Sequence, residues 1–204
     1  MSFSLLIIAA VLWAGLVYFF FRYRIWFFYY LTGAVGLALL IIGFGRFLLP
    51  FELWLKETSA YLTHYLAIWF GIQTRIFTEA PGAILVMVIP QGQGWTFLEI
   101  GIECSGLLEQ AVLIGLVLFY PGIGALARIR GLLFGILATY IGNIVRILFI
   151  VIALAYMGKA SLFISHTIIG RIIFFLFVVA IFWIIITRPT LDRIRKNLTA
   201  SRAS

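Results

Sequence analysis

The stretch Glu99-Ile100-Gly101-Ile102-Glu103-Cys104-Ser105-Gly106-Leu107-Leu108-Glu109-Gln110 joins a β-prone segment to an apolar helix. It holds the only cysteine and three of the seven acidic residues of the chain. Around it the composition leaves the soluble range. Of 204 residues, 64% are hydrophobic and 11% charged, with a mean hydropathy of +1.16, whereas soluble domains carry about a quarter charged residues. The chain reads as an all-α polytopic membrane protein, a bundle of about five to six transmembrane helices, since each span takes roughly 20 residues. A second domain has no room. One cysteine excludes an intramolecular disulfide and a cysteine-based metal site.

Outward from this stretch, Trp95 to Ile102 and Ala83 to Ile89 are β-prone and flank the turn signal Pro90-Gln91-Gly92-Gln93-Gly94. This predicts a small extracytoplasmic β-hairpin within 76–103, just before the helix that Cys104 opens. The glycine-rich turn is followed by no helix with a basic anchor, so it reads as a hairpin turn rather than a phosphate loop. Apolar runs predict spans at about 3–21, 25–45, 105–120, 131–157 and 163–187, all in one integral membrane domain covering 1–204. Residues 1–21 lack a basic n-region and a small-residue cleavage site and read as a retained span with no processing. The run 51–72 carries Glu52, Lys56, Glu57 and His64. It reads as interfacial or re-entrant, with His64 in an aromatic belt beside Tyr61, Tyr65 and Trp69.

The net charge of +8 sits in short clusters at the ends of apolar runs. That is a topology signal and not a nucleic-acid surface. Placing Arg22/Arg24, Arg128/Arg130 and the C-terminal cluster inside requires that 51–72 not cross once. Five spans follow, with the N-terminus outside, the C-terminus cytoplasmic and 46–104 facing the exterior. Nine of the fifteen basic residues then lie inside, and six of the seven acidic ones lie outside or in the outer half.

Depth follows from helix rise. Cys104 stands sixteen residues above Tyr120 and Arg146 sixteen above Arg130, about 24 Å in each case at 1.5 Å per residue. His166, twenty-two residues above Arg188, stands about 33 Å up. Polar groups from three helices thus meet in the outer third of the bilayer, where ionisable residues are functional candidates. Cys104 opens its predicted helix, where unpaired amides and the dipole favour a thiolate and first-turn amides offer oxyanion donors. The competing reading is a small core residue. Arg146 needs an anion or an aqueous pocket; Asn143 lies one turn before it, and the plain alternative is an ion pair with Glu103 or Glu109. His166 suits an acid or base, or simply an interfacial hydrogen bond. Arg171 is five residues on, about 140° round an α-helix, so the two share a site only if the helix is distorted. Two histidines and one cysteine make no zinc set, so no metal or cofactor is expected.

Glu103-Cys104-Ser105-Gly106-Leu107, Gly142-Asn143-Ile144-Val145-Arg146 and Ser165-His166 with Gly170 resemble, in order and on successive helices, the three motifs of the exosortase/archaeosortase family. The short length and the Pro-Gln-Gly-Gln-Gly turn resemble its exosortase G subgroup most. The resemblance implies a membrane-embedded cysteine protease or transpeptidase of the cell membrane. Its partners would be exported proteins bearing a C-terminal sorting signal, made of a short motif, a transmembrane helix and a basic cluster. By position it implies Cys104 as nucleophile, Arg146 as stabiliser of charge in a thioacyl intermediate and His166 as acid/base, with Asn143, Glu103, Ser105 and Gly106 in support. Archaeal members use an arginine in the third role, which makes Arg171 the alternative. Other classes remain open: a non-catalytic assembly or scaffold subunit, a transporter, and an acyltransferase using the same thiol.

Overall fold

The computed structural model describes residues 3–47, 51–77, 86–91, 94–157 and 164–203, without the side chains of 47, 86–95, 165–166 and 196–203. Two helices, α1 (Phe3–Arg22) and α2 (Trp26–Phe47), form a hairpin closed by Arg24 at φ 57°. After α3 (Phe51–Trp69) come β1 (Arg75–Phe77), β2 (Val86–Gln91) and β3 (Gly94–Glu99). A one-turn helix α4 (Ile102–Ser105) leads into α5 (Leu107–Phe119), followed by the 33-residue α6 (Ala125–Met157). The last helix opens as a π-turn over Ile164–Ile169 and runs on as α7 (Gly170–Phe182). A second π segment, Trp183–Thr187, joins it to α8 (Arg188–Ala203).

Among the described residues, four helical stretches are long and apolar enough to cross a bilayer: Phe3–Arg22, Trp26–Arg46, Ala125–Met157 and Thr167–Arg195. The protein is therefore polytopic and mainly α-helical. α5 is apolar but shorter, and α3 is not among the four. The pattern of α3 is inverted relative to a soluble helix. Glu52, Lys56, Ser59 and Thr63 are buried, while Trp54, Tyr61, Tyr65 and Trp69 are exposed. Its polar positions recur at helical spacing and face the bundle, and its aromatic face points outward. Lys56 pairs with Glu52, which also lies 3.8 Å from Arg46.

Small residues set the packing. The Gly33 position abuts the Phe119 ring, a Cβ on Gly115 would fall 2.3 Å from the Ala34 carbonyl, and Gly45 meets Leu107. α2 and α5 thus run antiparallel, with the α1–α2 turn near Tyr120, whose ring stands 6.0 Å from Tyr30. Such close backbone approach is how helices associate in lipid, where no hydrophobic force separates apolar faces from the solvent. Gly131 and Gly135 meet Ile185, and Gly142 meets Phe177, so α6 and the last helix are antiparallel too.

The strands form an antiparallel sheet in the order β1-β2-β3, with Ile76 opposite Met87 and Val88 opposite Phe97. The third strand, β1, has no counterpart in the sequence reading, and residues 78–85, including Ala83, lie outside the described residues. Along β3, Thr96, Leu98 and Ile100 are buried and Phe97 is exposed, the period-two pattern of a half-buried strand. Leu98 and Ile100 join Cys104, Ala60, Ala67 and Ile147 to Leu154 in one core cluster. The sheet is thereby seated on α3 and on the far half of α6. Two sequence boundaries need correction. α6 starts at Ala125, so Arg128 and Arg130 lie on its first turns and not in a loop, and the helix predicted over 105–120 is broken at Gly106.

Candidate active site

The break at Gly106 decides the geometry around Cys104. Gly106 has φ 74°, the left-handed region that disfavours a side chain, and a Cβ there would meet the Asn143 side chain at 3.4 Å. Ser105 clamps the break from both sides, its Oγ donating to the Ile102 carbonyl at 2.7 Å and accepting from the Leu107 amide at 3.1 Å. Cys104 therefore does not open the long helix. It is the third residue of α4, and its amide donates to the Gly101 carbonyl at 3.0 Å.

α6 supplies the next layer. Asn143 is fully buried and its Nδ2 donates to the Cys104 carbonyl at 2.7 Å. Arg146, 7% exposed, donates from Nη2 to the Glu103 carbonyl, and its guanidinium lies over the Phe174 ring, 5.0 Å from the centroid. Its positive charge also acts on the Cys104 thiol. The level deduced by counting residues along two helices is thus a contact: 103–104 and 143–146 bind each other through main-chain carbonyls. Neither acidic residue proposed as the ion-pair partner of Arg146 pairs with it among the described residues. The Glu103 carboxylate instead accepts from Arg171 Nη2 at 3.2 Å, an exposed pair.

A cavity of about 460 Å³ opens here, with Glu103, Glu109, Arg146 and Arg171 around an aromatic wall of Phe174 and Phe175. Glu109 was missed as a lining residue in the sequence. Its Oε2 is buried with no hydrogen-bond partner among the described residues, and its position one turn into α5 was the available signal. Cys104 is 3% exposed and is not on the cavity wall; Arg146 links the two.

Electrostatics correct the expectation of a thiolate favoured by a helix end. Burial pushes the Cys104 thiol above its ordinary value, while Arg146 pulls it down by its charge and Glu103 and Glu109 push it up. A one-turn helix carries little dipole, and at the start of α5 the Leu107 amide is already engaged by Ser105.

The side chain of His166 lies outside the described residues. Its backbone is in the π-turn Ile164–Ile169. With i→i+5 hydrogen bonding, backbone positions 166 and 171 are offset by much less than the about 140° of an α-helix. His64 is removed from this layer: its Nδ1 lies 2.6 Å from Thr74 Oγ1, tying α3 to the start of the sheet.

Comparison with curated proteins and with solved structures gives no match. Comparison with family models gives one that describes the transmembrane exosortases, and it covers residues 1–184, from the first helix through the three motifs. The chain belongs to the transmembrane exosortase family.

Proposed function

We propose that the protein is a membrane cysteine peptidase or transpeptidase that cleaves C-terminal sorting signals of exported proteins, of the exosortase G kind. The observation that carries this reading is the mutual grip of two motifs. Asn143 and Arg146 hold the carbonyls of Cys104 and Glu103, and the same guanidinium lines the cavity. In this reading the bundle has five spans, the C-terminus is cytoplasmic and the site faces the exterior.

The Cys104 sulfur, giving its proton to His166, attacks the substrate carbonyl, and a carbon–sulfur bond forms. Arg146 carries the negative charge that develops on the carbonyl oxygen. The carbon–nitrogen bond then breaks, and the leaving amine of the C-terminal helix takes the proton from His166. Water or an acceptor amine attacks the thioacyl carbon, and sulfur leaves as the thiol. Arg171 is the alternative for the third role. Asn143, Ser105 and Gly106 hold the backbone on which the sulfur is mounted.

The burial of Cys104 favours a second reading, a non-catalytic assembly subunit in which the polar layer only packs helices. Mass spectrometry on co-expressed membrane proteins that end in a helix and a basic tail separates the two. A truncated C-terminus with wild type and not with Cys104→Ser supports cleavage, and added mass on the new end identifies the acceptor. Intact substrate in both strains, with enzyme present and folded, overturns it.

A further inference from the structure

At the far end of α6 from Cys104 lies a second cavity, of about 480 Å³, between the first turns of α6 and the end of the last transmembrane helix. Leu126, Ala127, Phe134, Ile184 and Pro189 give it apolar walls, and Arg130 is the one charged residue on it. Gly131 keeps the two helices close, since a Cβ there would come 2.9 Å from the Ile185 side chain, which would have to shift.

The cations nearby differ in what they hold. Arg128 donates to the carbonyls of Tyr120 and Ile123, and Arg193 to that of Gly122, so both are spent on closing the turn between α5 and α6. Arg130 makes no ion pair and no hydrogen bond with the described residues. Asp192 is the only acidic residue of α6 to α8, so the protein does not neutralise this end. In the 460 Å³ cavity, by contrast, two carboxylates balance two guanidiniums. A guanidinium without an anion, set at the head of an apolar trough on membrane-crossing helices, matches an amphipathic anion.

We propose that this cavity binds an anionic phospholipid, its phosphate on Arg130 and an acyl chain along Leu126, Phe134 and Ile184. The site is independent of any chemistry at Cys104. It selects by headgroup charge and by chain together, so free glycerol phosphate does not occupy it.

The test is native mass spectrometry of the full chain released from nanodiscs of phosphatidylglycerol and phosphatidylcholine. Wild type retains phosphatidylglycerol roughly fivefold above its share of the nanodisc, the preference one arginine at a membrane surface confers. Arg130→Gln abolishes the enrichment, and Arg24→Gln, a basic residue at the same end of the bundle, leaves it intact. Ala127→Trp, which fills the cavity and spares the charge, abolishes it as well. Enrichment that survives Arg130→Gln or Ala127→Trp, or none in wild type, overturns the proposal. Phosphatidylglycerol with a photoreactive acyl chain gives a readout on wild type alone: crosslinks concentrate in 126–134 and 183–189, and an even spread over all lipid-facing helices also overturns it.

Discussion

The polar layer where α4, α6 and α7 meet and the α1–α2 hairpin are built by opposite rules. The layer is set among buried apolar side chains but is held in register by directed bonds, Asn143 to the Cys104 carbonyl and Arg146 to that of Glu103. The α1 side of the hairpin is almost wholly exposed, with Leu6 its one buried residue, and α2 joins the hairpin to the rest by ring contacts and by close approach at Gly33 and Gly115. In lipid, apolar character therefore does not mark the interior. What marks it is the polar residue that has to find a partner, as the inward face of α3 also shows.

If the two regions divide the work this way, damage to the layer removes chemistry and damage to the hairpin removes only stability. The largest expected effect is that of Cys104→Ser, a loss of turnover of at least about 10³-fold with folding intact, read by substrate truncation and by thermal unfolding in the same preparation. Arg146→Lys comes next, about 10²-fold in turnover, because an ammonium cannot hold the Glu103 carbonyl and face the cavity with one planar fork. The pH dependence sharpens this. Since burial raises the thiol value, alkylation of Cys104 in the wild type rises with pH to a midpoint above that of an ordinary thiol. Since Arg146 lowers it, Arg146→Gln moves the midpoint higher still; a midpoint that moves down contradicts the assignment.

Gly115→Val tests the hairpin. The added methyls meet the Ala34 carbonyl, and overpacking of this kind costs about 1–3 kcal/mol. Unfolding temperature falls, and turnover per folded molecule stays at the wild-type level. The smallest effect is that of Trp13→Phe, which removes the 2.9 Å bond from Nε1 to the Thr32 carbonyl. It costs about 1 kcal/mol or less and is seen only by unfolding. A large loss of turnover from either hairpin variant breaks the comparison.

The reach of the sequence divides along the same line. Membrane class and the apolar helices are readable because bilayer thickness imposes run length, and Cys104 could be levelled with Arg146 because helix rise is constant. The break at Gly106 was not readable: a glycine within a helical pattern is ambiguous, and here the break is held by the two bonds of the Ser105 hydroxyl and lies against Asn143 of another helix. The split of Glu103, carbonyl to Arg146 and carboxylate to Arg171, was hidden for the same reason, since sequence spacing pairs residues but not their atoms. The π-turn at Ile164–Ile169 leaves no mark in an apolar run, and it changes which positions share a face. β1 has three residues, too few to alternate visibly.

α6 is unbroken over 33 residues, about 50 Å, against a hydrocarbon core of about 30 Å. A rod of that length works as a gauge. Arg130 and Arg146 are fixed on it about 24 Å apart along the axis, and no hinge lets that interval adjust. If, as proposed, a substrate's C-terminal helix lies beside it with its basic end at the level of Arg130, that helix is measured in ångströms and not in residues, so tilting it changes which peptide bond reaches Cys104 as surely as lengthening it.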